Sequence, residues 1–252
     1  MSVHSYDIYK NRHAELQQHN SSYIWDFSMM TLSAIYCITK PDKVSLFEKV
    51  ECLLESGVNL IQLRDKSLSI DQYQEQIQKY KNLFVKYDHS QLIVNDHISV
   101  AIKEGVGLHI GWEDLQKYAH EKEVLYTEAL VQIRSKMHHN TLLGLTVHND
   151  VDLIQKVSHI VDYVGVGPIF STTTKRDAKS VLGTSSLRDI CSKTDVPVVA
   201  VGGIKECNLH EVLDTGAKHL AICSDIFDAV DISQKIHDIA KILKNKSSDR
   251  TF

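Results

Sequence analysis

No apolar run in this chain approaches membrane-spanning length, and the polar opening MSVHSYDIYKNRHAELQQHN lacks the features of a secretion signal. Both absences lead to the expectation of a cytoplasmic protein that does not engage a membrane. Positive charge is not in excess either. With 28 Lys and Arg against 32 Asp and Glu, the formal net charge is −4, a poor footprint for binding nucleic acid. Anions must therefore be held by local cations and backbone N–H groups. The five cysteines (Cys37, Cys52, Cys191, Cys207 and Cys223) are odd in number, scattered and without a C-x-x-C pair. That pattern argues for reduced thiols and against a disulfide frame or zinc site. The fourteen histidines show no metal-ligating spacing.

What is present is a recurring unit. Apolar, strand-like runs each end in polar residues: NLIQLRDK, QLIVND, VGLHIGWED, LLGLTVH, YVGVGPIFSTTTK, PVVAVGG and HLAICS. Helical periodicity fills the gaps at Leu46–Leu54, Ile70–Phe84 (opened by Ser69), Ile98–Glu104 (ended by Gly105) and Val151–Val157. With Ala34–Thr39 as the first strand and a last helix at Ile232–Leu243, eight strands result. Strands alternating with helices imply a parallel sheet, and eight units without a break predict a closed (β/α)8 TIM barrel. The 252 residues divide into an N-terminal extension over 1–30, a single barrel over 31–245 and a disordered tail over 246–252. The extension is read as a short amphipathic helix near 7–19 that covers the barrel's N-terminal end, with a frayed or partner-binding tail as the alternative. The stretch Leu115–Thr141 exceeds one helix. With Glu121, Lys122 and Glu123 splitting it, two helical pieces are expected, the extra one a surface insertion after strand four, with a lid as the alternative.

The polar strand ends carry the chemistry, because barrels of this kind place their active sites at the C-terminal face of the strands. Gly202-Gly203 after strand seven and Cys223-Ser224 after strand eight occupy the positions where such barrels bind phosphate. Glycine admits close backbone approach to an oxyanion. The run Ser171-Thr172-Thr173-Thr174-Lys175 offers hydroxyl donors and a point charge. Arg64 and Lys66 leave strand two as a pair of cations fit for a diphosphate, a surface ion pair with Asp65 being the alternative. Asn95-Asp96 after strand three and Asp114 after strand four supply two carboxylates, a set that suits Mg²⁺ when substrate oxygens complete it. His148, directly after strand five, points to the same mouth.

Taken together these segments resemble the thiamine-phosphate synthase family over about residues 32–243. Q-L-R-x-K at Gln62–Lys66, I-V-N-D at Ile93–Asp96 and H-I-G-x-E-D at His109–Asp114 come first. G-x-[ST]-x-H at Gly144–His148, G-P-[IV]-[FY]-x-T-x-T-K at Gly167–Lys175 and V-x-x-G-G-I at Val199–Ile204 follow in the family's order. The resemblance implies a Mg²⁺-assisted transferase that joins a hydroxymethylpyrimidine diphosphate to a thiazole phosphate. It implies pyrimidine-diphosphate contacts at Gln62, Arg64, Asp65, Lys66, Asn95, Thr146 and Lys175, with Arg64, Lys66 and Lys175 stabilising the leaving group. Thiazole-phosphate contacts would fall at Thr172, Thr173, Thr174, Gly203, Cys223 and Ser224, and Mg²⁺ would sit on Asp96 and Asp114. Small phosphorylated substrates are then the partners, with room left for a homo-oligomer.

Three positions depart from the family pattern. Thr146 replaces a common serine and keeps the hydroxyl, while Trp112 stands where glutamine is usual. Asp225 follows Ser224 where a small neutral residue is usual, and a carboxylate there would repel a phosphate unless it points away. Two rival functions share the scaffold. A thiazole tautomerase would need neither diphosphate nor metal site, and a non-catalytic barrel would bind phosphate ligands without turnover.

Overall fold

The computed structural model describes residues 34–41, 45–87, 89–174 and 179–248. The extension expected over 1–30 and Lys175 both lie outside the described residues. Eight parallel strands close on themselves in sequence order: β1 Ile35–Ile38, β2 Leu60–Leu63, β3 Gln91–Asn95, β4 Gly107–Ile110, β5 Leu143–Thr146, β6 Tyr163–Val166, β7 Val198–Val201 and β8 His219–Ile222. Closure is made by β1 pairing with β8, Tyr36 opposite Ala221. The strands are buried on both faces, as a parallel sheet sheathed by helices requires.

The helices are α1 Leu46–Glu55, α2 Ile70–Phe84, α3 Ile98–Glu104, α4 Trp112–Glu121, α5 Tyr126–Lys136, α6 Val151–Val157, α7 Gly183–Lys193, α8 Leu209–Leu213, α9 Ser224–Phe227 and α10 Ile232–Ser248. Local chemistry sets several ends. Ser69 accepts from Gln72 N while Gln72 accepts from Ser69 N, a reciprocal cap that contributes roughly 1 kcal/mol to α2. Gly105 ends α3 in the left-handed conformation, φ 64°. The tail expected from residue 246 is in part helical, because α10 runs to Ser248.

The long stretch after β4 divides as its charges predict, with Glu123 at φ 54° between the two pieces. It is not an outlying insertion, however. Leu115 and Ala119 of α4 and Ala129, Leu130 and Ile133 of α5 are all buried in the core. The buried Arg134 ties α5 down, donating to the Thr141 carbonyl at 2.8 Å and to Asp162 Oδ2 at 3.1 Å. Both helices therefore belong to the barrel's outer layer and neither is a lid.

Candidate active site

Side chains alternate along a strand, so every second residue enters the lumen and the last of each set reaches the C-terminal mouth. One cavity of about 170 Å³ opens there, and all eight strands line it or lead into it. Gln62, Arg64 and Lys66 enter from β2 and its end, Asn95 and Asp96 from the end of β3, His109 from β4, Asp114 from the first turn of α4, and Thr146 and His148 from the end of β5. Thr172 and Thr174 follow β6, Gly202 and Gly203 follow β7, and Cys223 and Ser224 follow β8.

The acidic corner is tightly built. Asp96 Oδ1 accepts the Gly111 N–H at 2.9 Å, and Asp96 Oδ2 lies 3.2 Å from the Lys66 ammonium. A Cβ placed on Gly111 would stand 3.0 Å from Asp114 Oδ2 and 3.6 Å from Asp96 Oδ1, so both carboxylates converge on one point. Asp96 adopts φ 63° and His148 φ 53°, left-handed conformations that cost a non-glycine residue about 1–3 kcal/mol. Both strained residues sit at the mouth. His148 donates through Nδ1 to the Gly167 carbonyl at 3.1 Å. Its Nε2 is buried, 3.6 Å from Glu113 Oε1 and without a hydrogen-bond partner among the described residues.

Across the cavity lies the glycine-framed end. Gly202 and Gly203 take φ 96° and 66°, and a Cβ on Gly203 would meet the Ser171 carbonyl oxygen at 2.5 Å. Only glycine lets the loops after β6 and β7 approach so closely. Burial pushes the Cys223 thiol up to about 11, so it stays uncharged at neutral pH. Asp225 turns away from the cavity. Its Oδ2 accepts the Glu206 N–H at 2.9 Å and faces the Lys235 ammonium at 3.7 Å. The carboxylate thus ties the loop after β8 to the loop after β7 and is neutralised from behind.

Of the residues singled out from sequence, Gln62, Arg64, Lys66, Asn95, Thr146, Asp96, Asp114, Thr172, Thr174, Gly203, Cys223 and Ser224 line this one cavity. Asp65 does not. Its Oδ1 accepts the N–H and hydroxyl of Ser67 at 2.9 and 2.6 Å, an Asx turn that shapes its own loop. Thr173 is exposed and also lies outside the lining. Trp112 faces away from the mouth, its ring packed edge-on against Tyr126 at 5.1 Å. Its substitution for glutamine therefore serves the contact between α4 and α5.

Sequence reasoning missed four groups. Lys179 lines the mouth and meets Glu113 at 2.7 Å, and this partner holds the Glu113 carboxyl down at about 2. Tyr36 and His109 face the lumen, joined by the buried Tyr163. His109 carried a legible signal, standing two residues before Gly111 and so sharing its face of β4. No sequence signal marks Lys179.

Comparison with known proteins agrees with this geometry. A family model described as thiamine monophosphate synthase matches residues 35–226. The thiamine-phosphate synthase of Dictyoglomus thermophilum is 35% identical over 225 residues, which cover 86% of this chain and 93% of that protein. That of Caldicellulosiruptor saccharolyticus is 34% identical over 201 residues, covering 79% and 85%. Among solved structures, thiamine phosphate pyrophosphorylase from Pyrococcus furiosus superposes with a TM-score of 0.69 at 27% identity, covering 86% of this chain and 97% of that one.

Proposed function

The chain belongs to the thiamine monophosphate synthase family, and we propose that its cavity joins 4-amino-2-methyl-5-hydroxymethylpyrimidine diphosphate to a thiazole phosphate or its carboxylated form. The bond from the pyrimidine methylene carbon to the diphosphate oxygen breaks, and that carbon bonds to the thiazole nitrogen. Thiamine phosphate and diphosphate leave, with CO₂ released from the carboxylated substrate. The observation that carries this reading is the gathering of two cations and two carboxylates at one side of a cavity whose other side is a glycine-framed cup.

The residues divide the work. Arg64 and Lys66 take the diphosphate, joined by Lys175 from the loop after β6, and their charge stabilises the negative charge that builds as it departs. Gln62, Asn95 and Thr146 orient the pyrimidine half. Thr172, Thr174, Gly203, Cys223 and Ser224 receive the thiazole phosphate. No side chain acts as a nucleophile, because the aminopyrimidine ring itself feeds electrons to the methylene as the leaving group separates. The barrel walls exclude water that would otherwise capture that cation.

The donor set also fits a divalent cation. Asp96 and Asp114 offer hard carboxylate oxygens at one point, with the Lys66 ammonium beside Asp96. Among the described residues no group of three or more His, Cys, Asp or Glu side chains gathers around a common point. Two carboxylates completed by substrate phosphate and water suit Mg²⁺ better than a closed protein cage. When bound, Mg²⁺ supplies neutralisation of the diphosphate charge.

Growth rescue tests the assignment. A thiamine-requiring strain lacking its own synthase should grow on minimal medium when it expresses this chain. Soluble, folded protein that fails to rescue, yet isomerises carboxythiazole phosphate in vitro, would select the tautomerase reading. A cytoplasmic setting fits this role, and among the described residues no helix is long and apolar enough to cross a membrane.

A further inference from the structure

Along the cavity wall a continuous hydrogen-bonded chain crosses the barrel from β2 to β5. Gln62 Nε2 donates to the Tyr36 hydroxyl at 2.7 Å, and Tyr36 and Tyr163 share a hydrogen at 2.8 Å. The Tyr163 hydroxyl lies 3.1 Å from His109 Nδ1, and His109 Nε2 lies 2.8 Å from Thr146 Oγ1. Gln62 and Thr146, the two ends, are both assigned above to the pyrimidine half. Tyr163 itself is fully buried and absent from the lining.

The strands are cut to fit this chain. A Cβ on Gly144 would stand 2.1 Å from the Tyr163 ring, so β5 must carry glycine where that ring crosses. A Cβ on Gly165 would press on His109 Cε1 at 3.2 Å and Thr146 Oγ1 at 3.5 Å. Both glycines clear the path of one polar chain across the lumen.

The chain has a direction. With Gln62 donating into Tyr36, the Tyr36 proton has the Tyr163 oxygen as its acceptor, and the Tyr163 proton then points to His109 Nδ1. Burial drives the titration of both phenols far above its ordinary range, so each remains a one-proton donor at any working pH. A bare Nδ1 requires the neutral imidazole to carry its hydrogen on Nε2 and to donate it to Thr146. The Thr146 proton is then directed into the cavity. Run in the opposite sense, the chain would strand the Tyr36 proton and aim Thr146 lone pairs at an anion.

We propose that Tyr163 is a positioning residue that holds His109 as its Nε2–H tautomer and thereby makes Thr146 a hydrogen-bond donor to the departing diphosphate. This inference rests on the reading of the site given above. At the other end, committing the Gln62 amide nitrogen to Tyr36 leaves its oxygen to accept from the pyrimidine amino group. The relay therefore sorts donor from acceptor at both ends of one substrate.

The test reads the histidine directly. In protein labelled with ¹⁵N-histidine, two-bond proton–nitrogen correlations should show His109 as the Nε2–H tautomer. Tyr163→Phe, which keeps the ring and removes the hydroxyl, should abolish that preference and lower kcat about tenfold, leaving KM for the thiazole phosphate unchanged. Tyr36→Phe should leave the tautomer in place, since Tyr163 still donates to Nδ1. An Nδ1–H tautomer in the unaltered protein overturns the proposal whether or not the variants fold, as does a Tyr163→Phe spectrum with His109 unchanged. Because the tautomer is read without substrate, failure of the synthase assignment would show separately, as absence of thiamine phosphate formation by the unaltered protein.

Discussion

Lys66 places its ammonium 3.2 Å from Asp96 Oδ2, joining the ends of β2 and β3 at the cavity mouth. The lysine side chain is half exposed, so the pair adds at most about 1 kcal/mol to folding stability. Under the proposed reaction its use lies in chemistry, where a cation and a carboxylate share one corner. Asp96→Asn should therefore lower kcat/KM by about 10²–10³ while leaving the melting temperature within a few degrees, as expected for loss of one preorganised charge. Steady-state kinetics beside thermal circular dichroism would check both halves. A near-normal rate would remove Asp96 from the leaving-group machinery.

Asp225 bears on the other substrate. By accepting the Glu206 N–H it fastens the loop after β8 to the loop after β7, the two walls of the cup proposed to hold the thiazole phosphate. Asp225→Ala should raise KM for the thiazole phosphate about tenfold, the value of a lost hydrogen bond to a charged group, with KM for the pyrimidine diphosphate unchanged. Asp225→Asn keeps an acceptor oxygen and should recover much of the loss. Equal effects on both KM values would mean that the residue acts on the whole fold.

Cys223 offers a chemical probe of the same cup. Burial raises its thiol to about 11, so the thiolate is scarce at pH 8 and grows tenfold per pH unit up to that value. Alkylation followed by peptide mass spectrometry should leave Cys223 largely unmodified at pH 8, with labelling that climbs steeply toward pH 10. Inorganic phosphate, filling the cup, should slow it. Rapid labelling at pH 7 would contradict the burial.

The Glu113–Lys179 pair gives a signed pH expectation. Lys179 lowers the Glu113 carboxyl from its ordinary value of 4.5 to about 2, so whatever stability the pair contributes is complete above 4.5. It declines progressively as pH falls below 4.5 and is gone once pH has passed about 2. Both partners are half exposed, which keeps that contribution small. Glu113→Gln should therefore leave the shape of the pH–rate profile between pH 5 and 8 unchanged. A limb that vanishes in the variant would show that Glu113 titrates in that range.

The strand ends were legible because a parallel barrel strand needs an apolar run and stops where polar residues must face the mouth. Arg64, Lys66, Asp96 and Asp114 could be read in this way, and the structure brings them to one cavity. Helix α7 left no such trace. It starts at Gly183 without a side-chain cap and buries only Leu187 and Ile190. The orientation of Asp225 was equally hidden, since Lys235 and Glu206 reach it only once the chain has closed. The same holds for the Tyr36–Tyr163 contact, whose members are 127 residues apart. Polar groups inside a lumen are chosen by what stands across from them, and no local periodicity encodes that.

The most direct measurement of the central claim is product stoichiometry with purified protein. Thiamine phosphate and diphosphate should form in equal amounts, and only when the pyrimidine diphosphate, the thiazole phosphate and Mg²⁺ are all present. The Asp96→Asn, Asp114→Asn double variant should form neither above background. Condensation that proceeds equally well in that double variant, or in chelator without Mg²⁺, would contradict the assignment of this corner to the leaving diphosphate.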